Sequence, residues 1–165
     1  MRWLVAITLL LTQALAVQVG DTVALPRVAD SNGKPLDLGA VAQRGRFQLF
    51  WFYPKALSPG CTAQAKRYSE LNDQFERLGV EVYGVSADPS AEQCDFIEKL
   101  SLRGAMLPDP KRQLANLFEV GGVLGFYNRD TILVSPEGKI VQIWRGVNAF
   151  RDADVVLEFV RKMKR

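Results

Sequence analysis

Residues 47–62 read Phe47-Gln48-Leu49-Phe50-Trp51-Phe52-Tyr53-Pro54-Lys55-Ala56-Leu57-Ser58-Pro59-Gly60-Cys61-Thr62. From Phe47 to Tyr53 nearly every side chain is aromatic or aliphatic, the composition of a strand buried on both faces at the centre of an α/β sheet. Pro54 stops it. A short loop stiffened by Pro54 and Pro59 delivers Cys61, after which Ala65, Tyr68, Leu71, Phe75 and Leu78 recur at three- and four-residue steps, the spacing of one helix face. Cys61 therefore stands where a buried strand gives way to a helix N-terminus. Unpaired N–H groups and the helix dipole favour negative charge at such a place, and the thiolate is the nucleophilic form of the sulfur. Ser58 and Thr62 set hydroxyls on either side of it. The plain alternative is a small residue fitting a tight corner; the strand–loop–helix context favours a reactive cysteine.

A chain of 165 residues with a net charge of +3 holds one domain with its own core and falls short of two. It contains two cysteines and no histidine. That excludes a Cys–His dyad, a Ser–His–Asp triad and any His-ligated metal site, and two cysteines alone build neither a structural zinc site nor an iron–sulfur site. Whatever activates Cys61 must be the helix terminus, backbone donors, hydroxyls and arginine or lysine. The basic run Arg161-Lys162-Met163-Lys164-Arg165 reads as a solvated helix end complementing its dipole, not as a nucleic-acid patch.

Upstream, Met1 to Ala16 has the form of a secretory leader: Arg2 at the charged start, an apolar run from Trp3 to Leu11, and Ala14-Leu15-Ala16 as a cleavage pattern. An uncleaved anchor or a buried helix is the alternative. Cleavage after Ala16 starts the mature domain at Val17 and places residues 17–165 outside the cytoplasm, in the periplasm, a lumen or the medium, where disulfides persist. Val23 to Leu25, the turn Ser31-Asn32-Gly33-Lys34 and Pro35 to Leu38 predict an N-terminal β-hairpin, and Gln43 to Arg46 a polar turn into the central strand.

Downstream, Gly79 closes the Cys61 helix and Val80 to Ala87 gives the next strand, so the pair forms a right-handed βαβ unit. A helix follows from about Ser90 to Leu102, with Ala91, Cys94, Ile97 and Leu100 on one stripe. Met106-Leu107 is a short extended piece, Lys111 to Val120 a short helix, and the glycines at 121, 122 and 125 a loose loop. Thr131 to Val134 and Ile140 to Trp144 are strands joined by Ser135-Pro136-Glu137-Gly138-Lys139, a hairpin signature. A last helix from about Asp152 is expected to bury Val155, Val156, Phe159, Val160 and Met163. This order predicts an α/β thioredoxin-like fold, a central mixed sheet flanked by helices, with one added helix and the N-terminal hairpin in front.

The segment Tyr53 to Thr62 resembles the peroxiredoxins of the Q type, also called bacterioferritin comigratory protein-like, in the AhpC/TSA superfamily. The family's proline, hydroxyl residue and peroxidatic cysteine fall on Pro54, Ser58 and Cys61, and its arginine on Arg129, ahead of Thr131-Ile132-Leu133-Val134. Gly84-Val85-Ser86-Ala87-Asp88, Pro108-Asp109, Pro136-Glu137-Gly138-Lys139-Ile140 and Trp144-Arg145-Gly146-Val147 extend the likeness from about Val19 to the C-terminus. The resolving cysteine that many relatives carry five residues after the first is Lys66 here, and Ser58 stands for the commoner threonine.

The resemblance implies reduction of hydrogen peroxide or small organic hydroperoxides by the Cys61 thiolate, with Arg129 supplying positive charge, backbone N–H groups and Ser58 aligning the oxygens, and Pro54 shielding the sulfur. It implies Cys94, 33 positions on (94 − 61), as the resolving thiol of an intramolecular disulfide, the plain alternative being a buried apolar filler on the helix stripe. The partners implied are the peroxide and a thioredoxin-like or other thiol reductant; no cofactor, metal, nucleic acid or lasting membrane association is expected once the leader is removed, and the chain is expected to be a monomer or weak dimer. A different class of function stays open: a redox-inert thioredoxin-fold binding module stapled by Cys61–Cys94. The absence of any C-x-x-C argues against a disulfide oxidoreductase.

Overall fold

The computed structural model describes residues 16–165. The leader read at Met1–Ala16 lies outside the described residues except for Ala16. The N-terminal hairpin pairs β1 (Arg27–Ala29) with β2 (Pro35–Asp37) in antiparallel register, Ala29 opposite Pro35. Its first strand starts four residues later than the Val23 that the sequence suggested. The turn sets this register: the Asp30 carboxylate accepts the N–H groups of Asn32 and Lys34, each at 2.9 Å, and Gly33 takes φ 77°. Val23 instead lies along the turn near Lys139, its N–H bonded to Gly138 O at 2.8 Å.

Helix α1 (Leu38–Gln43) replaces the expected strand end at Leu38 and part of the polar turn. Asp37 starts it, accepting Ala40 N–H at 2.9 Å. At six residues it is too short to display a periodicity.

The core is a five-stranded sheet in the order β5-β4-β3-β8-β9. Strand β3 (Phe47–Phe52) runs parallel to β4 (Val80–Ser86), which runs parallel to β5 (Ala105–Pro108). Helices α2 (Pro59–Arg77) and α3 (Ser90–Leu100) make the two crossovers. After α4 (Gln113–Leu117), shorter than the expected Lys111–Val120, the supposed loose loop forms a small hairpin, β6 (Gly122–Val123) with β7 (Phe126–Tyr127). Then β8 (Thr131–Val134) pairs antiparallel with β3, β9 (Ile140–Trp144) pairs with β8, and α5 (Asp152–Met163) closes the chain. The thioredoxin-like α/β architecture with its N-terminal hairpin is thus present.

Period-two alternation in β3 builds two cores at once. Leu49, Trp51 and Tyr53 face α2, α3 and α5, while Phe50 and Phe52 face α1, α4 and β7. Trp51 stacks between Tyr53 and Tyr68, with ring centroids at 4.8 and 5.2 Å. On the other face Phe118 packs on Phe50 and Phe52. Full burial of each such ring contributes roughly 1.5–3 kcal/mol.

Two helix faces differ from expectation. In α3 the inward residues are Gln93 and Phe96, with Ala91 exposed and Cys94 half-buried, because the helix is turned to seat Phe96 against Tyr53. In α5 Ala153 and Leu157 go inside and Val155 stays out, since burial of Asp152 rotates the helix. Met163 and Phe159 are half-buried against the same core.

Trp51 also dictates its neighbour on β4. A Cβ on Gly84 would lie 2.6 Å from the indole ring, nearer than any side chain packs. Gly84→Ala is expected to destabilise the domain by about 1–3 kcal/mol; urea unfolding followed by Trp fluorescence measures it.

Candidate active site

Three segments converge at the C-terminal end of β3: the loop Pro54–Ser58, the first turn of α2, and Arg129 between β7 and β8. Pro54, half-buried, ends β3. Ser58 is the N-cap of α2 but makes no side-chain cap; its hydroxyl donates to Lys55 O at 2.8 Å, drawing the loop into a turn. Pro59 and Gly60 take the first two helical positions, so Cys61 is the third. The first helical bond runs from Thr62 N–H to Ser58 O, which leaves the N–H groups of Gly60 and Cys61 without an acceptor among the described residues.

Cys61 is fully buried. The Arg129 guanidinium reaches it through Nη1, 3.5 Å from Sγ, and the same nitrogen donates to Gln64 Oε1 at 2.7 Å. Fixed positive charge therefore meets the sulfur at a helix N-terminus with unbonded N–H groups, an arrangement that favours negative charge there. Gly60 permits the approach, since a Cβ there would lie 3.2 Å from Arg129 Nη2.

The backbone of Arg129 is clamped on both sides. Tyr127 is buried before it, its hydroxyl donating to Asp109 O. After it, buried Asp130 accepts Arg145 Nη1 and Gly146 N–H, each at 2.9 Å, and Val147 N–H bonds Arg129 O at 2.8 Å.

Gln64 is a member of the site that the sequence reading passed over. Its Nε2 donates to Asp152 Oδ2 at 2.9 Å, and the same oxygen accepts Tyr68 OH at 2.6 Å and Thr131 Oγ1 at 2.8 Å. The available signal was a polar residue three positions after Cys61, on the stripe that Ala65, Tyr68 and Leu71 otherwise keep apolar. Burial and the neighbouring Asp152 carboxylate push the Tyr68 hydroxyl well above its usual range, so it stays a donor.

Cys94 is elsewhere. Its thiol bonds Ser31 O at 3.1 Å, on the side of α3 facing the N-terminal hairpin, and both cysteines are free. The structure thus brings Cys61 and Arg129 into contact, places Pro54 and Ser58 in the loop that leads to Cys61, and leaves Cys94 bonded to the hairpin.

The AhpC/TSA family model matches residues 19–143. The chain belongs to the AhpC/TSA family. Peroxiredoxin Bcp of Xanthomonas campestris is 32% identical over 123 residues, 70% of this chain and 77% of that one. Among solved structures, the peroxidoxin BcpB of Mycobacterium tuberculosis superposes with a TM-score of 0.81 at 28% identity, covering 88% of this chain and 97% of that one. The Xanthomonas campestris bacterioferritin comigratory protein, in a study of its alkyl peroxide reduction activity, gives 0.78 at 29% identity over 88% and 100%. The chain is a Q-type (Bcp) peroxiredoxin, and its activity is that of a thiol peroxidase.

The loop ahead of Cys61 is held by Asp88. This carboxylate, 2% exposed, accepts Lys55 Nζ at 2.7 Å, Ala56 N–H at 2.8 Å and Ser86 Oγ at 2.8 Å. Burial acts to raise its pKa, but Lys55, the Ala56 N–H and Ser86 outweigh that and hold it below the ordinary value. A depressed folded-state value contributes stability that is present above the unfolded value of about 4 and is lost as pH falls through the folded one. Asp88→Asn is expected to cost about 1.5–3 kcal/mol at pH 7. Urea unfolding at pH 7 and at about pH 3 should show the gap to wild type narrowing in acid.

Proposed function

We propose that this peroxiredoxin reduces hydrogen peroxide and small organic hydroperoxides with Cys61 as the attacking thiolate. The observation that carries the reading is the Arg129 contact with the Cys61 sulfur at an uncapped helix N-terminus. The sulfur attacks the terminal peroxide oxygen; an S–O bond forms, the O–O bond breaks, sulfur is oxidised by two electrons and the departing alkoxide or hydroxide takes up a proton. The N–H groups of Gly60 and Cys61 and the Arg129 guanidinium hold the oxygens in line, the Ser58 hydroxyl keeps a lone pair for the incoming peroxide proton, and Pro54 keeps water off the sulfur. The alkyl peroxide reduction activity named for the Xanthomonas campestris relative supports the substrate class.

In the second step the Cys94 thiolate attacks the sulfenic sulfur; an S–S bond forms, the S–O bond breaks, and the hydroxide leaves and takes up a proton to become water. A thioredoxin-like dithiol then reduces the disulfide. The geometry asks for movement, since a disulfide needs Cα atoms within about 7 Å and Cys94 now bonds the hairpin turn.

We place the reaction outside the cytoplasm, with Met1–Ala16 as a removable leader. The reading rests on the charged start at Arg2, the apolar run from Trp3 to Leu11 and the Ala14-Leu15-Ala16 pattern. Expressed at full length in cells with an intact export route, the protein should yield a mature mass beginning at Val17, and a soluble cytosolic product retaining Met1 would remove the export reading.

Stopped-flow oxidation of the reduced protein tests the chemistry. Cys61→Ser should abolish it, and Arg129→Met should slow it by about a hundredfold or more. In Cys94→Ser a single oxidation should proceed but stop at a one-oxygen adduct on Cys61, visible by mass spectrometry, where wild type ends as the Cys61–Cys94 disulfide. A Cys61→Ser variant that consumes peroxide at the wild-type rate would sink the reading.

A further inference from the structure

Asp152 is 97% buried by its 3% exposure and lies at the first position of α5, far in sequence from the cysteine and arginine it serves. Three donors from two other elements converge on its Oδ2: Gln64 Nε2 and Tyr68 OH from α2, and Thr131 Oγ1 from β8. Its Oδ1 has no partner among the described residues. Such one-sided loading is costly for a buried carboxylate and does more than cap a helix.

Its consequence runs through Gln64. A guanidinium only donates and a carboxylate only accepts, so an amide held between them has one permitted orientation. Gln64 must turn Nε2 to Asp152 and Oε1 to Arg129, and the flipped amide would face donor with donor and acceptor with acceptor. With Oε1 fixed, Arg129 Nη1 is held at 2.7 Å from it and 3.5 Å from the sulfur. The spacer matters as much as the charge. A carboxylate paired directly with Arg129 would occupy the guanidinium fork and cancel its field at Cys61, whereas Asp152 acts at one amide's remove.

We propose that Asp152 is a positioning residue for the peroxidase reaction, orienting Arg129 on Cys61 by locking the Gln64 amide. The proposal rests on the reading of Cys61 as the attacking thiolate and adds the residue that sets its activator in place. Burial drives the Asp152 carboxyl above the ordinary aspartate range, against the bonds from Tyr68, Thr131 and Gln64 and the charge of Arg129, so wild type and variants are compared across a pH series.

The test is a double-variant cycle on the second-order rate of Cys61 oxidation by hydrogen peroxide, each variant first shown folded by a thermal melt. Asp152→Ala should lower the rate between about ten- and a hundredfold, the scale of a misplaced activating group. Asp152→Asn, which keeps an acceptor for all three donors, should recover it to within about threefold of wild type. In a Gln64→Met background Asp152→Ala should cause no further loss, because the route is already cut. Gln64→Met leaves Asp152 bonded to Tyr68 and Thr131 and folds however Asp152→Ala fares; a wild-type rate in it overturns the proposal. So does a folded Asp152→Ala within twofold of wild type, or losses that multiply in the double variant. If wild type itself fails to react with peroxide, the thiolate reading falls instead, which keeps the two failures apart.

Discussion

The contact between Arg129 Nη1 and Cys61 Sγ joins groups 68 residues apart, and it exists only because β3 and β8 pair in one register. Trp51 lies opposite Thr131, and Phe52 N–H bonds Asp130 O at 2.8 Å. The cysteine loop leaves β3 just beyond that point, and Arg129 arrives at β8 just before it. A slip of one residue would exchange the two faces of β8, burying Thr131 and Leu133 where Ile132 now sits and turning the arginine away. Sheet register and site geometry are therefore one constraint.

Around that contact the acidic groups are placed so that none competes for it. Asp88 is spent on Lys55, Ala56 and Ser86, holding the loop before the cysteine. Asp130 is spent on Arg145 and Gly146, holding the backbone after Arg129. Asp152 reaches the guanidinium only by way of Gln64. The positive charge thus stays directed at the sulfur, in surroundings dry enough to strengthen it. With no imidazole in the chain, the same result comes from geometry that a histidine would otherwise supply by proton transfer.

Much of this could be read along the chain. The β3–α2 junction, its helix stripe and the β8–β9 hairpin are local patterns, and local patterns are what a sequence displays. The faces of α3 and α5 differ from expectation for one shared cause. Counting apolar residues predicts each face, yet Gln93 and Asp152 point inward because each has buried polar partners, Ser86 and Leu107 O for one and the Gln64 cluster for the other. The same blindness hid Gln64 from the site. A polar residue goes inside only when distant groups complete it, and those groups are not visible from its own neighbourhood.

Zero exposure of Cys61 makes access and resolution a single energetic question, centred on the first turn of α2. That turn is weakly held: no side chain caps it, proline removes one N–H, and Leu57 before it sits at φ 65°, a backbone conformation that disfavours a leucine. Arg129 ties it down, with Nη1 on both Gln64 Oε1 and Cys61 Sγ, and in the proposed reaction the second of these contacts joins a guanidinium to a thiolate. In the proposed reaction the thiolate becomes a sulfenic acid, and its full negative charge is gone. Oxidation thereby weakens the interaction that keeps the turn wound, at the moment when unwinding is needed to bring the sulfur toward Cys94. The Asp88 clamp on Lys55 and Ala56 does not depend on that charge, so in the proposed reaction it would hold the loop up to Ala56 while the turn beyond it opens.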